Sequence, residues 1–153
     1  VGPPTTVADL YAGSGLFALP LARAGHRVVA VESHRGAVEG GIRAAAANGI
    51  SRDACRFVAS TVERAVDRIE PPAVVVLDPP REGCTPPVLT AVTRGLRPRR
   101  IIYVSCDPLS LARDLRTLAA QYHVRRVQPV DMFPHTAHVE TVVVLDRYGS
   151  APS

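Results

Sequence analysis

Short valine- and isoleucine-rich runs alternate with segments of helical period along almost the whole chain. The runs are "TTVADL", "HRVVAVE", "CRFVAS", "AVVVLDPP" and Ile101–Val104, the last bounded by Arg99 and Arg100. Each is short, apolar and closed by Gly, Pro or an acid, as a buried strand requires. Between them lie "LFALPLARAG", closed by Gly25, and "HRGAVEGGIRAAAANG", stopped at Asn48-Gly49. The short "TVERAVDRI" and "TPPVLTAVTRGL", with Thr85 as a plausible cap, follow as helices. Two further strands, "VRRVQPVDMF" and "HVETVVVLDR", are separated only by "PHTA". A parallel crossover needs more chain than that, so these two should pair antiparallel. The pattern predicts an α/β fold: a doubly wound, mostly parallel seven-stranded sheet with an antiparallel C-terminal hairpin. Its length of 153 residues suits one domain with a sizeable core.

Composition narrows the function classes. No apolar run approaches membrane-spanning length and no secretory pattern is visible, so a cytoplasmic chain with no membrane partner is expected. Cys55, Cys84 and Cys106 are odd in number and widely spaced, which suits a reducing compartment and gives neither a disulfide framework nor a CxxC metal pattern. The net charge of +4 comes from arginine alone, with no lysine. That charge permits RNA binding without selecting it, and aromatic residues at 5% offer no evident stacking platform. The opening "VGPP" lacks an initiator Met, so a processed or excised piece is expected.

Four segments carry chemistry. In "DLYAGSGLFA", Gly13, Gly15 and Ala18 match G-x-G-x-x-[GA] between a strand and a helix, and Glu32 closes the next strand, where an acid can bind ribose hydroxyls. The loop admits a dinucleotide or S-adenosylmethionine. Asp9, entering the loop, suits the cationic methionine end of the latter better than a pyrophosphate. Asp78-Pro79-Pro80 ends the fourth strand, at the same sheet edge. There a carboxylate can hold a base or a cofactor, or merely cap a helix.

Cys106 follows the fifth strand and precedes Asp107-Pro108, an N-cap and first helical position. Apolar residues then recur at Leu109, Ala112 and Leu115, or at Leu111, Leu115 and Leu118. Helix N-termini at a sheet's carboxyl edge favour ligands and thiolates, while a small core residue is the equal alternative at this point. His135, His138 and Glu140 lie close together, but no third nitrogen or sulfur ligand is obvious, so no metal is expected. Glu140 is then a solvated strand start or a general base.

Taken together, the segments resemble the RNA uracil-5-methyltransferase family. The resemblance rests on "DLYAGSGLFALPLA", "VVAVESHRGAVEGGIRAAAANGI", "LDPPREG", "YVSCDPLSLARDL" and "DMFPHTAHVETVVVL", in family order. It implies S-adenosylmethionine held by Tyr11, Glu32, Thr61 and Asp78 beside Gly13 and Gly15, with Leu16 lining the site. It implies Cys106 as nucleophile, Glu140 as base, strands five and seven as neighbours, and a uridine in tRNA or rRNA as substrate, with no DNA partner. Three residues depart from the family pattern. Ala12 stands where Cys is frequent, Leu16 where a hydrogen-bonding residue is usual, and Asp107 where Asn is common. A charge at Asp107 beside Cys106 is tolerable if it is used as the helix cap. Family members carry material before the Gly loop, so the chain is expected to be the catalytic domain alone (1–147), monomeric, with a polar tail (148–153).

Two readings from other classes compete. A nicotinamide-dependent oxidoreductase would use the Gly loop but leave Cys106, Asp78 and Glu140 without a role. A non-catalytic RNA-binding module with this fold predicts loss of the nucleophile or the base, and both are present. A cytosine-directed enzyme is closer chemically, but Cys84 after the DPP segment lacks the Pro-Cys arrangement and reads as a loop residue.

Overall fold

The computed structural model describes residues 3–131 and 140–150. Strands β1 (Thr6–Leu10), β2 (Arg27–Glu32), β3 (Cys55–Ala59), β4 (Val74–Leu77), β5 (Arg100–Ser105), β6 (Tyr122–Val130) and β7 (Glu140–Arg147) form one sheet in the order β3-β2-β1-β4-β5-β7-β6. The first five are mutually parallel. β7 runs antiparallel to both β5 and β6, as the short connection requires. The expected doubly wound fold with a C-terminal hairpin is therefore the observed one.

Helices α1 (Ala18–Arg23), α2 (Arg35–Ala47), α3 (Val62–Ala65), α4 (Pro86–Thr90) and α5 (Pro108–Leu118) cover the sheet. The larger core joins Leu10, Leu77, Tyr103, Val143 and Leu145 of the strands to Val88, Leu111 and Leu118 of α4 and α5. The second core lies on the other face, where Val7, Val28, Ala30 and Val76 meet Ala18 and Ala22 of α1. A parallel sheet buried on both faces reads as unbroken apolar runs, which is why "VVVL" in β4 shows no alternation.

One open alternative is decided and two local expectations are refined. Of the two apolar stripes possible in α5, Leu111 and Leu118 are buried while Leu109 is 82% exposed. Thr85 does occupy the N-cap position of α4, but its hydroxyl donates to Glu63 Oε1 at 3.1 Å instead of accepting from the helix. The predicted helix after it changes to π-helical winding over Ala91–Leu96 and ends at Arg97 in the left-handed region.

Candidate active site

Parallel strands finish at one edge. Pairing of Leu10 with Leu77, Glu32 with Ala59 and Leu77 with Tyr103 brings the loops after β1, β2, β3, β4 and β5 together there. Gly13, Gly15, Leu16, Glu32, Thr61, Asp78 and Cys106 all lie in or beside these loops. The antiparallel β7 starts at the same edge. Its register with β5 ends at the pair Ser105–Thr141, whose chain neighbours are Cys106 and Glu140. Asp78 is close to both elements: burial first, and then the charge of Glu140, raise its carboxyl above the usual range. His135 and His138 lie outside the described residues. Among the described residues no group of His, Cys, Asp and Glu could hold a metal.

Cys106 is half-buried, whereas Cys55 and Cys84 are each 3% exposed. Burial, chiefly, pushes the Cys55 thiol up to about 11 and the Cys84 thiol up to about 12. Cys84, read from sequence as a loop residue, is thus a core member within its loop. Beside Cys106, Asp107 caps α5: its Oδ1 accepts from the Ser110 amide at 2.7 Å, and that bond holds the carboxyl below its usual range. The charge that departs from the family pattern is engaged with the helix N-terminus.

The Gly loop is a tight reversal. Ala12 donates to the Val31 carbonyl at 3.0 Å and Gly15 to that of Ala12 at 2.8 Å, while Tyr11, Gly13 and Gly15 all have positive φ. At Gly15 a Cβ would meet Phe57 at 2.9 Å and Leu19 at 3.0 Å, so the position has no room for a side chain. Glu32 braces the loop through Oε2, which accepts from Gly13 at 3.0 Å, while Oε1 accepts from the His34 amide at 2.7 Å. Partial burial opposes its charge, but the His34 and Gly13 amides and Ser33 outweigh it and hold the carboxyl below the usual range. Leu16 is 71% exposed and Thr61 is exposed. The Tyr11 ring packs on the larger core beside Cys84, and burial, followed by that neighbour, pushes its phenol upward.

Asp9 departs from expectation. It lies inside β1, is 0% exposed, and neither carboxylate oxygen completes a hydrogen bond among the described residues. Burial pushes its pKa up to about 7; the Ala18 amide opposes this and the charge of Asp78 adds to it. An unfolded Asp ionises near 3.9. The unfolded chain therefore releases this proton first, and stability falls as pH rises from about 4 to about 7, by about 4 kcal/mol in all. Urea unfolding across that range should show this decline in the parent chain and a flatter profile in Asp9→Asn. Parallel profiles would refute the burial cost.

A second cluster escaped the sequence reading. Asp114 of α5, fully buried, accepts from Tyr103 Oη at 2.6 Å and from the Cys84 amide at 2.7 Å. Arg113 donates to Asp114 at 2.8 Å and to the Glu82 carbonyl at 2.6 Å. The cluster ties the loop after Asp78 to the helix behind Cys106. Its only sequence signal is an acid on the same helix face as Leu111 and Leu118.

The sequence pattern of a family described as tRNA (Uracil-5-)-methyltransferase matches residues 5–148. The chain belongs to this family. Its similarity extends to an uncharacterized RNA methyltransferase of Gloeobacter violaceus, 49% identical over 93% of this chain and 30% of that protein. Another, from Thermotoga maritima, is 44% identical over 91% of this chain and 31% of that protein. The chain thus spans about a third of the length of the curated relatives it matches. Among solved structures, the Pyrococcus abyssi tRNA (uracil-54, C5)-methyltransferase in complex with S-adenosyl-L-homocysteine aligns with TM-score 0.84 and 32% identity, over 95% of this chain and 35% of that one. The Burkholderia thailandensis 1,6-didemethyltoxoflavin-N1-methyltransferase, at TM-score 0.73 and 22% identity over 95% of this chain and 72% of that one, shares the fold. The chain therefore has the Rossmann-like architecture of class I methyltransferases.

Proposed function

We propose that residues 1–147 form a catalytic domain that methylates C5 of a uridine in tRNA or rRNA, with S-adenosylmethionine as donor and a covalent link between Cys106 and uracil C6. The observation that supports this reading is the β5–β7 register: its last pair, Ser105 with Thr141, adjoins Cys106 on one strand and Glu140 on the other, and the charge of Glu140 reaches Asp78. The same edge suits the donor. Its carboxylates, Glu32, Asp78 and Glu140, favour a ligand bearing sulfonium and ammonium charges and oppose a pyrophosphate, and at Gly13 nothing lies within 4 Å of where a Cβ would stand, which leaves that backbone open to a nucleotide. Gly13, Gly15, Leu16, Glu32, Thr61, Asp78 and Tyr11 would hold it, and when bound it supplies an electrophilic methyl group.

The protein's own residues do the rest. Uracil C5 is a poor nucleophile. The Cys106 thiolate adds to C6, the C5=C6 electron pair moves toward the C4 carbonyl, and C5 becomes nucleophilic. After methylation, Glu140 accepts the C5 proton. The released electron pair re-forms C5=C6 and expels the Cys106 thiolate. In folded RNA the base must leave its stack to reach this edge.

Calorimetry tests the cofactor assignment. S-adenosylhomocysteine should bind the chain, and Glu32→Ala should weaken it at least tenfold, because the side chain that braces Gly13 is lost. Tight binding of NADH with no response to S-adenosylhomocysteine would overturn the reading in favour of an oxidoreductase.

A further inference from the structure

The opposite edge of the sheet carries a feature that the methyl-transfer chemistry leaves unused. A groove of about 450 Å³ opens where β1, β2 and β3 begin, and it is lined by Arg27, Arg52, Arg56 and Arg68 together with Asp53 and Glu70. The four arginines come from three separate stretches: the start of β2 (Arg27), the turn into β3 and its start (Arg52 and Arg56), and the segment after α3 (Arg68). All four are exposed. The ion pairs among the described residues are Arg100–Asp146, Arg113–Asp114 and Arg125–Asp146, so none of the four has a carboxylate partner there.

The charge is divided between the two edges. Glu32, Asp78, Asp107 and Glu140 gather at the catalytic edge, where Arg81 acts on Asp107. At the other edge, the groove sets four guanidinium groups without ion-pair partners among the described residues around one cavity, against two carboxylates. Guanidinium is planar, permanently charged and matched to phosphate oxygens. Strands of four to six residues at roughly 3.3 Å each separate the two edges by only about 20 Å, well within the reach of one folded RNA.

We propose that this amino-edge arginine groove binds the phosphodiester backbone of the substrate RNA, at a point remote from the target base. The proposal rests on the RNA-directed reading above. Phosphate contacts of this kind position a nucleic acid without reading its sequence. The groove therefore contributes affinity and salt dependence, and base selection stays at the carboxyl edge.

The test uses the 153-residue chain and a fluorescein-labelled oligouridylate, followed by anisotropy at several salt concentrations. Arg52→Glu/Arg56→Glu is compared with Arg94→Glu/Arg116→Glu, an equal charge reversal at exposed arginines outside the groove. The groove pair should lose at least tenfold more affinity than the control pair, and its slope of log K against log salt should shrink by about 1.4, roughly 0.7 for each phosphate contact removed. Equal losses in both pairs would show an effect of net charge alone and overturn the groove. A poly-glutamate peptide that displaces the RNA at equal charge concentration would overturn it in favour of an acidic protein partner, and absence of RNA binding at low salt would also overturn it. Titration with S-adenosylhomocysteine separates the two readings. If it binds normally while the groove variant and control do not differ, only the groove fails. If the chain binds RNA through the groove but gives no response to S-adenosylhomocysteine, only the methyltransferase reading fails.

Discussion

If Cys106 is the proposed nucleophile, Cys106→Ala should abolish methyl transfer in the complete protein, with an expected loss on the order of 10⁴-fold or more, as for removal of other covalent nucleophiles. RNA carrying 5-fluorouridine should trap the unsubstituted protein through Cys106, because fluorine at C5 cannot leave as a proton. The variant should form no adduct. The structure makes this outcome specific to one cysteine. Cys55 and Cys84 are buried in the two cores with thiols pushed well above the usual range, whereas Cys106 stands half-exposed at the carboxyl edge. Peptide mass spectrometry decides the matter, and an adduct at any other residue removes Cys106 from the mechanism.

Glu140→Gln should stop the reaction at a later point. Thiolate addition and methylation need Cys106, the donor and a positioned uracil. In the proposed scheme Glu140 is needed only when the C5 proton must leave. Glutamine keeps the size of the side chain at the start of β7 and removes its basicity. Protein–RNA adducts that survive denaturation and already contain labelled methyl should therefore accumulate, while release of methylated RNA falls on the order of 10²-fold or more. Normal turnover, or a complete block of label transfer, would reduce Glu140 to a solvated strand start. The charge of Glu140 also acts on Asp78, so removing it should lower the Asp78 carboxyl toward its ordinary value. NMR titration of that carboxyl can follow the change.

Local features of the molecule were legible in the residues. Apolar runs of strand length, glycine at the loop after β1, an Asp-Pro helix start at Asp107-Pro108 and a connection too short for a crossover each act over a few residues, and each appears in the fold. So do the residues gathered at the carboxyl edge, because in a parallel sheet every strand of that direction delivers its following loop to the same side. Pattern alone could not order the strands; the family resemblance placed the fifth and seventh side by side.

Tertiary structure decided the rest. The pairing of Ser105 with Thr141 joins residues far apart in the chain, and brings the neighbours Cys106 and Glu140 to one edge only through the register of the whole β5–β7 ladder. Asp9 looks in sequence like an acid entering a ligand loop, yet the pleat turns it inward beneath α1, where burial governs its proton. Leu109 fits a helical stripe as well as Leu111 does, and only the face that α5 turns to the core exposes the first and buries the second. Asp114 gains its partners from β5 and from the loop after β4, and the arginine groove draws its charges from three separate stretches of chain. In each case the energy depends on groups brought together from distant positions, which local propensity cannot encode. The sequence determined the elements and the reactive residue types, and the packed sheet decided which of them face one another.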